Sequence, residues 1–278
     1  MTYLLSEEGR QAMRSLVAGP LLYAFDFDGT LAPISPDRHA VKLSRPIGEW
    51  LKELAKRAPC AVVSGRSLAD LSPRINGTVP YVIGNHGIES PLTPASTLVW
   101  ADGICQGWKA ALRTRFADQL HAMGVDVEDK RYSLTFHFRS ESNPELARVA
   151  VLSLIQNLRP VPVTLSGKAS VNALPPAQRG RYGKGPATLA LMTHLGLNGL
   201  FYVGDDETDE TVFALKEGLA MGVRVSESAN SLARYYLKRQ EEIEEVLRFL
   251  IHRLDKTPEA PAAMERSRNR TAGAGHER

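Results

Sequence analysis

The sequence predicts an α/β fold: a core built on a doubly wound, Rossmann-like parallel sheet, with an α+β cap domain inserted into it. Short, wholly apolar runs suit parallel strands that are buried on both faces. Helical patterns separate these runs, as they do where strands and helices alternate along a doubly wound sheet. Between about Gly107 and Pro176 this alternation breaks down, which indicates an insertion.

The core elements alternate in chain order. Strands are predicted at Leu21–Phe25, Ala61–Val63, Tyr81–Ile83 and Leu200–Val203. Helices are predicted at about Pro46–Arg57, Leu68–Arg74, Lys184–His194 and Thr208–Lys216. Because ligands bind beyond the carboxyl ends of parallel strands, we expect the residues that follow these strands to meet at one edge of the sheet. These residues are Asp26, Ser64, Gly84 and Gly204–Asp206.

The inserted segment repeats the order helix, strand, strand. Its elements are predicted at Trp108–Met123, Val125–Glu128, Tyr132–Phe138, Pro144–Leu158, Val161–Leu165 and Ser170–Leu174. We expect one antiparallel sheet that forms a lid over the ligand edge. The predicted core domain therefore comprises residues 1–104 and 179–254, and the cap domain comprises 105–178. Residues 255–278, rich in Pro, Ala, Gly and charge, are expected to be disordered.

The composition is that of a soluble globular protein, with 278 residues of which 43% are hydrophobic and 23% charged. A net charge of +3 is too small to favour nucleic acid as a partner. The apolar runs are shorter than a membrane span and the N-terminus does not resemble a signal peptide, so we expect a cytoplasmic protein without a membrane partner. A monomer is also expected. Cys60 and Cys105 lack metal-ligand spacing and are expected to be buried thiols.

The stretch Leu21–Leu31 reads LLYAFDFDGTL, so an apolar strand ends in two aspartates. Side chains alternate along a strand, which places Asp26 and Asp28 on the same side of the chain at the edge of the sheet. Two carboxylates this close require a cation, a shared proton or solvent. Taken alone, such a triplet is more often an acidic turn, and only the segments downstream favour a functional site.

Three downstream segments point to the same edge. VVSGR (Val62–Arg66) offers hydroxyl, amide and guanidinium donors to an oxyanion, although Ser64 alone is more often a helix N-cap. Lys184 begins a helix, where a lysine is usually solvated. GDDETDE (Gly204–Glu210) holds five acids in seven residues, and this density is costly without a cation, although acids also favour helix starts. Oxygen ligands without a soft donor nearby indicate Mg²⁺.

In this order, the D-x-D-G-T motif, the strand-end serine, the lysine and the acidic run resemble the motifs of the haloacid dehalogenase superfamily. The resemblance implies a phosphatase in which Asp26 attacks phosphorus and becomes an aspartyl phosphate. It implies that Asp28 protonates the leaving alkoxide and then activates water. Ser64 and Lys184 are the implied ligands of the phosphoryl oxygens.

The same resemblance implies a magnesium site. The metal would be held by Asp26, the backbone carbonyl of Asp28 and Asp205. Asp206 and Asp209 are expected to support the metal from behind, through its waters or through the lysine.

A narrower resemblance comes from GNHGIE (Gly84–Glu89), VEDKRYSLTFHFR (Val127–Arg139) and GKASVNALPP (Gly167–Pro176). Together with the acidic run they are similar to the trehalose-6-phosphate phosphatase family. The family pattern Glu-x-Lys, then Ser, then His-aromatic-Arg is met by Glu128, Lys130, Ser133, His137, Phe138 and Arg139. A phosphorylated disaccharide is therefore the implied substrate. Its implied ligands are Arg66, Asn85, His86, Glu128, Lys130, His137, Arg139, Lys168 and Asn172.

One position departs from this family. Four residues after Lys168 the family usually has a sugar-binding glutamate, whereas this chain has Asn172. An amide still donates and accepts hydrogen bonds but is not a charged acceptor. Phosphatases of other glycosyl phosphates, such as sucrose or glucosylglycerol phosphate, therefore stay open as alternatives. A phospho-acceptor signalling module stays open as well, although such a domain is shorter and lacks a lid and the second aspartate.

Overall fold

A computed structural model shows the fold and describes residues 1–16, 19–35, 37–138, 143–167, 169–177, 182–216 and 218–256. Its strands are β1 (Thr2–Tyr3), β2 (Leu21–Phe25), β3 (Cys60–Val63), β4 (Tyr81–Ile83), β5 (Asp126–Asp129), β6 (Leu134–His137), β7 (Val163–Gly167), β8 (Ser170–Leu174), β9 (Gly199–Gly204), β10 (Ala220–Val225) and β11 (Tyr235–Leu237). Its α-helices are α1 (Glu7–Leu16), α2 (Arg45–Ala55), α3 (Leu68–Ile75), α4 (Ala95–Arg115), α5 (Ala117–Ala122), α6 (Pro144–Ile155), α7 (Lys184–His194), α8 (Glu210–Phe213) and α9 (Ile243–Lys256).

The core is a seven-stranded sheet in the order β1-β11-β10-β9-β2-β3-β4. All of its neighbouring strands pair in parallel. β2 lies next to β9, although a long stretch of chain separates the two strands in sequence. The order reverses direction on either side of β2, which confirms the predicted doubly wound sheet and places a ligand crevice at this point.

Both faces of β2 are buried, as its continuous apolar run predicts. Tyr23 and Phe25 pack in a cluster with residues of α1, α2, α3 and α9. Leu22 and Ala24 point the other way and pack with residues of α7 and α8. Helices therefore cover the sheet on both sides, and the carboxyl ends of its strands are left as the open edge.

The inserted segment forms a four-stranded antiparallel sheet in the order β5-β6-β8-β7, as predicted. Alternate residues of β6, Leu134 and Phe136, pack with Trp108 of α4 and Val151 of α6 in a separate hydrophobic cluster. The helices thus cover one face of this sheet. Its other face carries polar side chains and turns toward the edge of the core sheet.

Several boundaries differ from those predicted. The helix predicted at Trp108–Met123 begins at Ala95 and is interrupted at Phe116, so two helices replace one. Its early turns bury the small residues Ala101 and Cys105, which give a weak apolar pattern in sequence. The predicted domain boundary between residues 104 and 105 falls inside α4. The division into domains stays a prediction.

The helix predicted at Thr208–Lys216 is instead a 3-10 turn, Glu207–Asp209, followed by the single turn α8. The sequence analysis did not assign the short edge strand β1, the strands β10 and β11 next to it in the sheet, or the helices α1 and α9. Both cysteines are buried free thiols, as expected. The described helices include none with the length and apolar content needed to cross a membrane. Of the tail predicted to be disordered, 255–278, the first two residues, Asp255 and Lys256, instead belong to α9, where Asp255 pairs with Arg57. Residues 257–278 lie outside the described residues.

Candidate active site

The first aspartate of the D-x-D motif is held at the end of β2. The Asp26 amide donates to the carbonyl of Val203 at 2.9 Å, which extends the pairing of β2 with β9 by one residue. The chain then turns at Gly29, whose φ is +79°. A Cβ on Gly29 would lie 2.4 Å from the carboxylate of Asp205. Glycine therefore serves both the turn and the close approach of two acidic segments.

Asp26 is buried and paired with the lysine that begins α7. The Lys184 Nζ donates to Asp26 Oδ1 at 2.7 Å and to Asp209 Oδ1 at 2.8 Å. Only 3% of the Lys184 side chain is exposed, so the alternative of a solvated surface lysine is wrong. Burial opposes the charged form of Lys184, but Asp209 and Asp26 raise its pKa above the usual value.

Asp209 is fully buried and accepts four hydrogen bonds. Its Oδ1 accepts from Lys184 and from the Tyr202 hydroxyl, the latter at 2.6 Å. Its Oδ2 accepts from the backbone amides of Asp205 at 3.0 Å and Asp206 at 2.9 Å. This carboxylate therefore fixes the lysine ammonium and the start of the acidic turn at once.

The carboxylates suit a hard cation. One oxygen from each of Asp26, Asp205 and Asp209 lies within 4.8 Å of the others, and all three residues are buried. Burial raises the pKa of Asp26, Asp209 and Asp205 raise it further, and Lys184 opposes them. Three buried carboxylates beside one buried ammonium leave surplus negative charge, and oxygen donors are the ligands that a divalent cation such as Mg²⁺ prefers.

The second aspartate is held by a guanidinium. The Arg66 Nε donates to Asp28 Oδ2 and the Arg66 Nη2 donates to Asp28 Oδ1, both at 2.7 Å. The Arg66 Nη1 donates to Asp70 on α3 at 2.6 Å. The N-cap of α3 is Ser67, whose hydroxyl accepts from the Asp70 amide. Ser64 is therefore not the helix cap that its sequence context most often indicates.

Ser64 is buried at the end of β3 and lines the cavity beside Asp26. Its Oγ accepts from the Arg66 amide at 3.2 Å, which orients the hydroxyl. The hydroxyl proton then points away from this amide and can be donated to an oxyanion.

The segment after β4 adopts an unusual backbone. Asn85 and His86 both have φ of 53°, a left-handed conformation that is rare for non-glycine residues. The His86 ring packs against Gly65, where a Cβ would lie 2.5 Å from the ring Cε1. Among the described residues, neither ring nitrogen has a hydrogen-bond partner. Burial, then Lys130 and Lys184, lower the pKa of His86, so the imidazole is neutral at neutral pH.

The cap presents a charged cluster to the same space. The Glu128 Oε2 lies 2.8 Å from the His137 Nε2, 3.1 Å from the Arg38 Nη1 and 3.8 Å from the Lys130 Nζ. Burial opposes ionisation, but these neighbours lower the pKa of Glu128 to about 2. Lys130 also joins cap to core, because its Nζ donates to the carbonyl of Gly65 at 3.0 Å.

Asn85 of the core forms a second contact with the cap, next to that of Lys130. Its Nδ2 donates to the carbonyl of Lys130 at 3.0 Å, and its Oδ1 accepts from the hydroxyl of Ser133. Asn85 is fully buried and is not among the residues that line the cavity, although the sequence analysis expected it to bind the substrate. Its geometry thus holds the lysine-bearing loop of the cap.

Asn172, the departure from the family pattern, lies in the middle of the cap sheet. Its Oδ1 accepts from the Thr135 hydroxyl at 2.7 Å, and its Nδ2 donates to the carbonyl of Leu165 at 3.2 Å. Both ends of the amide are thus engaged across the sheet. The side chain still borders the cavity, and its role as a sugar ligand stays a prediction.

One cavity of about 420 Å³ lies between core and cap. Most of the predicted site residues line it, namely Asp26, Asp28, Ser64, Arg66, His86, Glu128, Lys130, His137, Asn172, Lys184, Asp205 and Asp206. Arg139 and Lys168 lie outside the described residues. The sequence analysis missed Arg38, Asp70 and Tyr202. The partner of Arg38, Glu128, is distant in sequence. Asp70 pairs with arginines four positions away on either side and Tyr202 with an aspartate seven positions away, so their spacing was visible in the sequence but belongs to no motif. The chemical roles of all these residues stay predictions.

The chain resembles known proteins along most of its length. The profile of the trehalose-phosphatase family matches residues 24–241. A trehalose-phosphate phosphatase of Mycobacterium tuberculosis is 31% identical over 207 residues, which are 71% of this chain and 52% of that protein. A trehalose 6-phosphate phosphatase of Zea mays is 28% identical over 252 residues, which are 82% of this chain and 69% of that protein.

A solved structure agrees in fold. The C-terminal domain of a C. albicans trehalose-6-phosphate phosphatase superposes with a TM-score of 0.68 at 21% identity, covering 91% of this chain and 98% of that one. The chain spans about half the length (52%) of the mycobacterial relative it matches. The family match, in contrast, includes both acidic segments and the whole cap between them. On this evidence the chain belongs to the trehalose-phosphatase family.

Proposed function

We propose that this protein is a Mg²⁺-dependent phosphatase that hydrolyses trehalose 6-phosphate to trehalose and phosphate through an aspartyl phosphate. The proposal rests on one observation: the two aspartates of the D-x-D motif, at the carboxyl edge of the core sheet, are held by different cationic side chains. Asp26 is buried against Lys184, whereas Asp28 is held by Arg66 and is partly exposed to the cavity. A fixed nucleophile beside an accessible acid suits phosphoryl transfer.

In the first step, a carboxylate oxygen of Asp26 attacks phosphorus while the bond from phosphorus to the sugar oxygen breaks. Asp28 gives its proton to the leaving alkoxide, so free sugar departs. In the second step, Asp28 takes a proton from water, and the resulting hydroxide attacks the phosphorus of the aspartyl phosphate. Inorganic phosphate leaves and Asp26 is restored as a carboxylate.

The phosphoryl oxygens need donors that are already in place. The ammonium of Lys184 and the hydroxyl of Ser64 both border the space in front of Asp26. Neutral His86 offers one N–H donor without adding charge. Because these groups are fixed by burial before substrate arrives, they need little reorganisation during the reaction.

The proposed ligands of Mg²⁺ are Asp26, Asp205 and the backbone carbonyl of Asp28. Asp209 does not bind the metal in this proposal but positions the ligands through its hydrogen bonds. When bound, the metal offsets the charge repulsion between the nucleophilic carboxylate and the phosphate dianion. The fit rests on the three buried carboxylates described above.

The cap supplies polar groups that suit sugar hydroxyls. Glu128 of β5 and His137 of β6 stand on the face of the cap sheet opposite its hydrophobic cluster, as strand alternation requires, and Lys130 follows directly after β5 and lines the same cavity. A carboxylate accepts and an ammonium donates, so the pair can bind adjacent hydroxyls of one ring. This face lies above the phosphate end of the cavity, which suits an ester that carries a bulky sugar.

The proposal is tested by measuring phosphate release from trehalose 6-phosphate, sucrose 6-phosphate, glucose 6-phosphate and glucosylglycerol phosphate, with Mg²⁺ and with EDTA. We expect metal-dependent release with a clear preference for trehalose 6-phosphate, and none from the Asp26→Asn control. Preference for another ester would reassign the substrate while keeping the chemistry. No release from any ester, with a stable phosphoaspartate, would instead favour a signalling module.

A further inference from the structure

We infer that Arg38 is a positioning residue that holds the cap carboxylate Glu128 in place over the substrate cavity. Arg38 belongs to the core, in the loop between β2 and α2, whereas Glu128 lies on β5 of the cap. The Arg38 Nη1 lies 3.1 Å from the Glu128 Oε2, and the Arg38 Nη2 lies 3.9 Å from the Asp126 Oδ2. One guanidinium thus bridges the two halves of the molecule from the cavity wall.

The backbone under Arg38 is anchored. The Arg66 Nη2 donates to the carbonyl of Arg38 at 3.0 Å, and the Arg74 Nη1 donates to the carbonyl of His39 at 3.0 Å. Asp70 pairs with both of these arginines at 2.6 Å. The side chain of Arg38 therefore extends from a fixed backbone, and its planar guanidinium loses less freedom for each contact than a lysine would.

Arg66, which holds the backbone of Arg38, also binds the proposed catalytic acid. The Arg66 guanidinium that holds the Arg38 carbonyl also binds both oxygens of Asp28 at 2.7 Å. Arg38 thus connects Glu128 of the cap to Asp28 of the core. Its guanidinium forms an ion pair with Glu128, and its backbone carbonyl accepts a hydrogen bond from Arg66, which also binds Asp28. The position of the sugar-facing carboxylate is in this way tied to the position of the proposed acid.

The charges around Glu128 favour this role. Its carboxylate has Lys130 and the His137 ring of the cap on one side and the guanidinium of Arg38 on the other. Only Arg38 among these three comes from the core. Without it, Glu128 would keep its partners within the cap but lose its side-chain tie to the core, so the sugar would meet a less ordered carboxylate.

This inference rests on the proposed function for its kinetic test. We expect Arg38→Ala to raise KM for trehalose 6-phosphate by about tenfold, the size expected for loss of one partly buried charged pair. KM and kcat for p-nitrophenyl phosphate, which has no sugar for the cap, should change less than about twofold. Arg38→Lys should recover part of the loss. Arg45→Ala, which removes a surface arginine of α2, is the matched control.

A double-mutant cycle tests whether Arg38 acts through Glu128. The double variant Arg38→Ala with Glu128→Gln should bind trehalose 6-phosphate no more weakly than Glu128→Gln alone. Additive losses would mean that Arg38 contacts the sugar itself, and equal losses with both substrates would mean a general structural role. Either result would overturn the inference.

A second cycle needs no substrate. The melting temperatures of the four proteins without ligand should also be non-additive, because the pair exists in the free protein. Additive melting shifts would overturn the pairing even if turnover is normal. Conversely, a protein that shows the non-additive melting cycle but does not release phosphate from trehalose 6-phosphate would contradict the proposed function and leave the Arg38 contact intact.

Discussion

Both carboxylate oxygens of Asp28 are held at 2.7 Å by one guanidinium, that of Arg66. The pair is not sealed from solvent, because 37% of the Asp28 side chain is exposed while only 11% of the Arg66 side chain is. Burial opposes the charge on Arg66, but Asp28 and Asp70 raise its pKa above the usual value, so it stays cationic. The two parallel hydrogen bonds from the planar guanidinium fix the orientation of the Asp28 carboxylate, which still borders the cavity.

We predict that Arg66→Lys lowers kcat by about tenfold to a hundredfold, because a lysine cannot bind both oxygens of Asp28 and proton transfer depends on its orientation. The measurement is kcat for phosphate release across the pH range. Arg45→Lys, on the exposed surface of α2, is the matched control. A variant with unchanged kcat and an unchanged pH profile would show that the paired hydrogen bonds from Arg66 to Asp28 have no part in catalysis.

The proposed role of Asp26 as the nucleophile is tested by the substitution Asp26→Asn. We predict that turnover falls by at least about a thousandfold, since an amide is a poor nucleophile, while the substrate is still bound. Phosphate release and equilibrium binding of the sugar phosphate are the two measurements. The amide keeps an oxygen that can accept from Lys184, so the fold around α7 should be preserved. Residual turnover near the wild-type rate would assign the attack to another group.

The converging strand ends were predictable from sequence because their signals are local. The apolar run Leu21–Phe25 and the glycine that follows it specify a buried strand and a tight turn without reference to distant residues. The burial of Lys184 was not predictable in this way. Its partners Asp26 and Asp209 are 158 and 25 positions away, and only the folded sheet brings the three together.

The loop that carries Arg38 shows a second limit. It has no apolar period, and its structure depends on carbonyl groups that accept from Arg66 and Arg74. Every residue type has a backbone carbonyl, so the sequence does not indicate which carbonyl groups accept these hydrogen bonds. Asn172 is similar, because the sequence shows an amide but cannot show that Thr135 engages its oxygen.

His86 makes stability depend on pH. Its pKa in the folded protein lies well below the ordinary value of 6.5, so below pH 6.5 the unfolded chain takes up a proton that the folded protein does not. The free energy of unfolding therefore falls as the pH drops from 6.5. We predict that His86→Asn makes this slope between pH 6.5 and 5 shallower, by up to about 1.4 kcal/mol per pH unit.

The measurement is urea unfolding of both proteins at several pH values. His121→Asn is the control for the loss of an imidazole from the surface, since this histidine is exposed on α5. Equal slopes for the wild type and His86→Asn would mean that the imidazole is protonated in the folded protein or reached by solvent.

The metal site has a test that does not depend on turnover. A cation that binds only the folded protein stabilises it by about 2.7 kcal/mol at a hundred times its Kd. For a domain of this size, we therefore expect saturating Mg²⁺ to raise Tm by about 5 to 10 °C. Asp205→Asn should lose most of this increase, because it removes one of three buried carboxylates that lie within 4.8 Å of one another.

The comparison is the Tm difference between Mg²⁺ and EDTA, measured for each protein separately so that any change in baseline stability cancels. Glu49→Gln, an exposed acid on α2, should keep the full increase. If Asp205→Asn kept it too, the cation would bind elsewhere and the carboxylates would rely on Lys184 alone. Loss of the increase together with loss of phosphate release would instead tie both to the same oxygen ligands.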